Sequence, residues 1–254
     1  MNVMSYGLEG KVVVVTGGSR GIGLDLARNF LAQGAKVVIC GRKETNLAAA
    51  QEVLGAPERL LAVVAHIARE QDVENLFGAA VDRFGGLDVL INNVGMNLLT
   101  TSVTDTDLAV WNKIIEGNLT GAFLCSRKAA RLMRERKQGK IVNISSLAGT
   151  RAMPGMGIYG IAKAGIEMLT KVLASELAGA NIQVNAVAPG MVRTDFSKPF
   201  WSTPALCEQI VKAIPKGRIA ETTDLIPIVL FLASNHGDYI TGQTIAVDGG
   251  ASAI

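Results

Sequence analysis

Seven short runs rich in Val, Ile and Leu recur along the chain, at residues 11–16, 36–41, 60–66, 87–92, 140–145, 182–188 and 243–248. Each is apolar almost throughout instead of alternating apolar with polar, as strands covered on both faces require. Helical patterns fill the gaps, notably at 21–33, 71–84, 108–136 with a break, and 154–177. In the last of these, Ile166, Leu169, Leu173 and Leu177 repeat at three and four, predicting a stripe that faces the sheet. Strand and helix in alternation predict an α/β fold, a doubly wound parallel sheet with right-handed crossovers and helices on both faces. The 254 residues, 49% of them hydrophobic, are enough for one large core, so the expectation is a single domain over 1–254. Ligands of such sheets bind beyond the carboxyl ends of the strands. The least regular stretch, 191–215, carries Pro199, Pro204 and Pro215 with Phe196, Phe200 and Trp201, and is read as a lid over that region.

The first apolar run leads into Thr16-Gly17-Gly18-Ser19-Arg20-Gly21-Ile22-Gly23 and then directly into a helical pattern. Glycines at a strand-to-helix turn let the backbone approach a pyrophosphate, whose charge the helix N-terminus stabilises. The spacing differs from the common G-x-G-x-x-G dinucleotide fingerprint. At the end of the second run an NAD site would place an acid for the ribose hydroxyls; here the residues are Cys40-Gly41-Arg42-Lys43. Arg42 and Arg20 are suited to pair with a 2′-phosphate, which favours NADP.

Tyr159 precedes Lys163 by four residues, so on a helix they share one face. An ammonium beside a phenol favours its ionised form, and the expectation is a tyrosine with a lowered pKa. Other chemistries find little support. Cys40, Cys125 and Cys207 are odd in number, far apart and without clustered His, which argues against a disulfide framework or a metal site and for small core residues. A net charge of +3 without a basic block makes nucleic acid an unsuited partner. No apolar stretch approaches the roughly 18 residues of a membrane span, and residues 1–7 lack a leader pattern, so a soluble cytoplasmic protein is expected.

With these glycines, Asn92-Asn93-Val94-Gly95, Ser146, the Tyr159/Lys163 pair and Pro189-Gly190, the chain resembles the short-chain dehydrogenase/reductase family over essentially its whole length. The resemblance implies a Rossmann-type seven-stranded parallel sheet, a nicotinamide cofactor and a homotetramer. It implies Tyr159 as general acid and base, Lys163 as its electrostatic partner and a ribose ligand, Ser146 as the carbonyl-oxygen donor, and Asn118 as the support of a proton path. Gly17, Ser19, Arg20, Gly21, Ile22, Gly23, Arg42, Asn93, Gly95, Pro189, Gly190, Val192 and Thr194, with Tyr159 and Lys163, would hold the cofactor. His66 and Ile67 would stand at its adenine, with His66 where the family commonly has Asp or Asn. Val94 replaces a more frequent alanine.

Family topology would put Met96, Leu98, Leu147, Met153, Met191, Phe200 and Trp201 around the substrate, an apolar set suited to a hydrophobic ketone or alcohol. Arg151 and Arg193 flank the region and would suit an anionic substrate, such as a 3-oxoacyl thioester on its carrier. The leading expectation is NADP(H)-dependent interconversion of carbonyl and alcohol. The alternatives are a 3-oxoacyl carrier-protein reductase, an NAD-dependent alcohol dehydrogenase, and a nucleotide-sensing protein without catalysis. The apolar run 243–254 is a candidate subunit interface.

Overall fold

The computed structural model describes residues 5–253; Met1–Met4 of the N-terminal stretch and Ile254 of the C-terminal run fall outside them. The elements alternate as β1 (Val12–Thr16), α1 (Gly21–Ala32), β2 (Lys36–Gly41), α2 (Glu44–Leu54), β3 (Leu60–Val64), α3 (Glu70–Phe84) and β4 (Val89–Asn92). Then come α4 (Leu108–Ile115), a π-helical turn (Glu116–Thr120), α5 (Gly121–Arg136), β5 (Gly139–Ile144), α6 (Gly157–Leu177) and β6 (Ile182–Pro189). Two short helices, α7 (Lys198–Trp201) and α8 (Pro204–Lys212), precede α9 (Ile226–Ala233) and β7 (Thr244–Val247). The strands form one seven-stranded sheet in the order β3-β2-β1-β4-β5-β6-β7, every pairing parallel. The fold is the expected Rossmann-type α/β fold, and the order reverses between β1 and β4, where a crevice opens at the carboxyl ends.

Strand side chains point alternately to the two faces, which explains why both must be apolar. Val13, Val15, Val37 and Ile39 pack with Leu26 and Phe30 of α1 and Val229 of α9; Val14, Val38 and Leu90 pack with Phe77 of α3 and Met133 of α5. Phe30 and Phe77 are each 0% exposed, and full burial of such a ring stabilises by about 1.5–3 kcal/mol.

Two expectations need correction. On α6 the buried face runs through Ile166, Thr170, Ala174 and Leu177, while Leu169 and Leu173 are half-buried at its flank. Small Thr170 and Ala174 let the helix lie close against β6 and β5, which a leucine stripe would prevent. The segment 191–215 is largely helical, because Pro199 and Pro204 occupy first-turn positions of α7 and α8, where the missing N–H has no partner to lose. Helix α9 is apolar on all sides and so shows no helical period in the sequence.

A buried polar chain ties the layers together behind the crevice. Asn92 of β4 pairs in register with Asn143 of β5, and its Nδ2 donates to Asn143 Oδ1 at 2.8 Å and to Ser126 Oγ of α5 at 2.9 Å. Asn143 Nδ2 in turn donates to Thr170 Oγ1 at 2.8 Å. Thr170→Val keeps the shape but strands a buried donor, and should lower unfolding free energy by about 1–3 kcal/mol. Urea denaturation followed by circular dichroism reads this; an unchanged midpoint would show that the chain of bonds contributes nothing.

Candidate active site

One cavity of about 720 Å³ runs along the carboxyl ends of the strands. Its first end is built by the turn between β1 and α1. Gly17 and Gly21 have φ of +66° and +54°, the left-handed region that favours glycine. A Cβ on Gly23 would lie 2.3 Å from the Gly17 carbonyl, so glycine there lets α1 press against the loop; Gly23 supports the cavity without lining it. Asn93 Nδ2 donates to the carbonyls of Thr16 at 3.0 Å and Gly17 at 3.3 Å, fixing the turn from β4.

Arg20, the residue before α1, is extended and gives the helix no side-chain cap. The first-turn N–H groups at Gly21 and Ile22 therefore meet the cavity without a side-chain acceptor. Ser19, Arg20, Arg42, Lys43 and Asn46 line the same end, and no carboxylate joins them. Uncapped helix N–H groups beside a cluster of cations fit a phosphorylated nucleotide. His66 and Ile67 form the adjoining wall. The His66 N–H donates to Asp72 at 2.8 Å, and its Nδ1 accepts from the Ala68 N–H at 3.3 Å, leaving Nε2 for a ligand.

At the other end β5 and α6 converge. Ser146 follows the end of β5, and its hydroxyl accepts from the Ala148 N–H at 3.2 Å, capping a short turn over Leu147–Gly149. Tyr159 and Lys163 lie one turn apart on α6, with Lys163 Nζ 5.5 Å from the phenol ring centroid. Lys163 Nζ also donates to the Ile144 carbonyl at 2.8 Å, and Ser145 Oγ donates to Glu167 Oε1 at 2.9 Å. Strand end and helix are thus joined at two points, holding Ser146 and Tyr159 on one cavity wall.

Electrostatically the site departs from expectation. Burial pushes the Tyr159 phenol up to about 12, against a smaller downward pull from the Ser146 hydroxyl, and burial pushes Lys163 down to about 8. Desolvation outweighs the ammonium: a phenol removed from water resists ionising even 5.5 Å from a lysine. At neutral pH Tyr159 is a protonated phenol, the form that donates a proton.

Asn118 is buried and does not line the cavity. It sits in the π turn, a widening that lets its Nδ2 donate to the Ile114 carbonyl at 2.7 Å. The same amide clamps Met96, donating to its carbonyl at 2.7 Å and accepting from its N–H at 3.1 Å. A Cβ on Gly95 would be 3.7 Å from both Asn118 Oδ1 and Lys163 Nζ, so only this glycine's width separates them.

Pro189, Gly190, Val192 and Thr194 carry the wall from β6 into the 191–215 segment, and Met96, Leu147, Met153, Met191 and Phe200 line the same cavity. Leu98 lies at the surface, 36% exposed. Trp201 does not line the cavity; it packs against the buried cluster of Leu147, Ile214, Ile219 and Ala251, with Nε1 donating to Ser197 Oγ at 2.9 Å. Met156, Ile210, Ile214 and Ala251 line the cavity although no local pattern marked them; only tertiary packing brings them there. Phe196 approaches Tyr159 with ring centroids 6.0 Å apart. Among the described residues no cluster of His, Cys, Asp and Glu could hold a metal ion.

A family model described as enoyl-(acyl carrier protein) reductase matches residues 17–252. The chain is 38% identical over 246 residues to a 3-oxoacyl-[acyl-carrier-protein] reductase of Synechocystis sp., covering 96% of this chain and 97% of that one. It is 36% identical over 245 residues to dehydrogenase/reductase SDR family member 4 of Oryctolagus cuniculus, covering 96% and 94%. Among solved structures, a candidate gluconate dehydrogenase from Agrobacterium tumefaciens superposes with a TM-score of 0.94 at 32% identity, covering 99% of this chain and 100% of that one. Sequence kinship over nearly the full length agrees with the reversed strand order, and the chain belongs to the short-chain dehydrogenase/reductase family, oxidoreductases that act on alcohols and carbonyls with a nicotinamide cofactor.

Proposed function

We propose that the protein interconverts a carbonyl and an alcohol with NADP(H), Tyr159 handling the proton. The observation that carries this reading is one cavity holding both the phosphate-suited end with Arg20 and Arg42 and the Ser146/Tyr159/Lys163 wall. When bound, the cofactor supplies or accepts the hydride. Ser146 orients the reacting oxygen by hydrogen bonding. Tyr159, kept neutral by burial, gives its proton to that oxygen in reduction. Lys163, held to the Ile144 carbonyl, presents its ammonium to the phenol as charge develops there. Asn118 secures Met96, and with it the wall opposite α6.

Similarity to the Synechocystis sp. 3-oxoacyl-[acyl-carrier-protein] reductase favours one second reading, a carrier-bound 3-oxoacyl substrate. Turnover of acetoacetyl carrier protein with no turnover of free ketones would select it.

We also read the protein as a cytoplasmic homotetramer. Free Cys40 and Cys125 in the core fit a reducing compartment. Phe123 of α5 and Ile161, Met168 and Val172 of α6 are 42%, 45%, 59% and 44% exposed, and such apolar faces are suited to a partner subunit. No helix of the described residues is long and apolar enough to cross a membrane.

Three outcomes follow from these readings. Tyr159→Phe should lower ketone-dependent NADPH oxidation by roughly 10²–10⁴-fold while NADPH fluorescence titration shows retained binding; undiminished turnover would remove Tyr159 from the chemistry. Arg42→Ala should cost roughly 10- to 100-fold in kcat/KM with NADPH, the worth of charge-assisted bonds to a phosphate, and little with NADH; an unchanged preference would mean that Arg42 reads nothing. Met168→Glu with Val172→Glu should shift the sedimentation coefficient to a smaller species, and a wild-type protein already monomeric would contradict the assembly.

A further inference from the structure

Beyond Tyr159 the cavity wall is mostly apolar, built by Leu147, Met153, Met156, Met191 and Phe200, and one arginine stands in it. The two arginines that flank this region in sequence have different fates. Arg193 lies outside the cavity, its Nε 3.2 Å from Glu221 and its guanidinium 4.8 Å above the Trp201 ring. Arg151 lines the cavity. Its backbone N–H donates to the Leu147 carbonyl at 3.3 Å, which puts it one turn past Ser146.

The Arg151 side chain reaches the C-terminal segment, where Nη1 donates to the Ala251 carbonyl at 2.9 Å. A guanidinium has five N–H donors, so this bond aims the group and occupies one of them. Among the described residues no carboxylate pairs with it, including Glu116 and Asp195, the two acids that line the cavity. A guanidinium aimed into a largely apolar wall, without a carboxylate partner among the described residues, matches a planar anion, which it binds through two parallel bonds.

We propose that Arg151 is the specificity-determining residue of the substrate site and that the substrate carries a carboxylate: an oxo acid, or the corresponding hydroxy acid, with its reacting oxygen at Ser146 and Tyr159. This rests on the oxidoreductase reading. The apolar wall takes the carbon chain and Arg151 takes the acid, so orientation at the reacting carbon follows from the far end of the molecule. A neutral ketone of equal size gains nothing from the guanidinium.

The test compares acids with their methyl esters: pyruvate, acetoacetate and levulinate, which set the carboxylate at increasing distance from the carbonyl. Wild-type protein with NADPH should favour the acid in at least one pair. In R151M the acid-to-ester ratio of kcat/KM for that pair should fall roughly 10- to 100-fold, and R151K should recover part of it. Equal losses on acid and ester would reduce Arg151 to a structural tie to Ala251, and ester preference in all pairs would likewise overturn the proposal. Quenching of tryptophan fluorescence by the three acids in the presence of NADP⁺ separates this from the parent reading. Acid binding lost in R151M, without turnover of any ketone, would uphold the anion site and remove the oxidoreductase reading; acid binding equal in wild type and R151M would remove the anion site whatever the turnover.

Discussion

The contact on which the site depends is the seam between the end of β5 and the first turns of α6. Lys163 crosses it to the Ile144 carbonyl at 2.8 Å, and Ser145 crosses it to Glu167 at 2.9 Å. Ser146 belongs to the strand side and Tyr159 to the helix side, so their meeting is a tertiary event. Burying an ammonium is costly, and Lys163 at 3% exposure tolerates it through one good hydrogen bond and a lowered pKa. The polar chain from Ser126 through Asn92 and Asn143 to Thr170 stiffens the same seam from behind.

The rest of the architecture places that seam in one cavity with the glycine turn proposed to hold the cofactor's phosphates. Parallel strands with right-handed crossovers bring every carboxyl end to one edge, and reversal between β1 and β4 leaves a gap there. The Gly17 turn and the uncapped start of α1 occupy one side of the gap, and α6 the other. Asn93 and Asn118 brace the wall between, each through backbone groups of a neighbouring turn. The segment that follows β6 is held by Ser197, whose hydroxyl donates to the Val192 carbonyl and accepts from Trp201 Nε1.

Much of this was legible in the residues. Buried parallel strands have to be apolar on both faces, which made the central strands visible within a few residues, and the partly buried edge strands β3 and β7 carry the same Val, Ile and Leu runs; β2 coincides at 36–41. The glycine turn after β1 was legible because positive φ and close packing demand glycine at fixed places. Harder features depend on what lies across the fold. Leu98 and Trp201 share the apolar character of the cavity wall yet face elsewhere, and Met156 and Ile214 lie in it without a local mark. The Tyr159/Lys163 spacing gave their proximity and missed the sign of the pKa shift, because desolvation is set by neighbours remote in sequence.

On the reading proposed above, hydride and proton are delivered in this one cavity, the proton by Tyr159. Incubating the protein with a panel of ketones and NADPH deuterated at the transferable position of C4, then analysing the alcohols by mass spectrometry, tests it most directly. Wild-type protein should place deuterium on the carbinol carbon of the alcohol, and Tyr159→Phe should lose that product. Unlabelled alcohol, or labelled alcohol formed equally well by the variant, would contradict it.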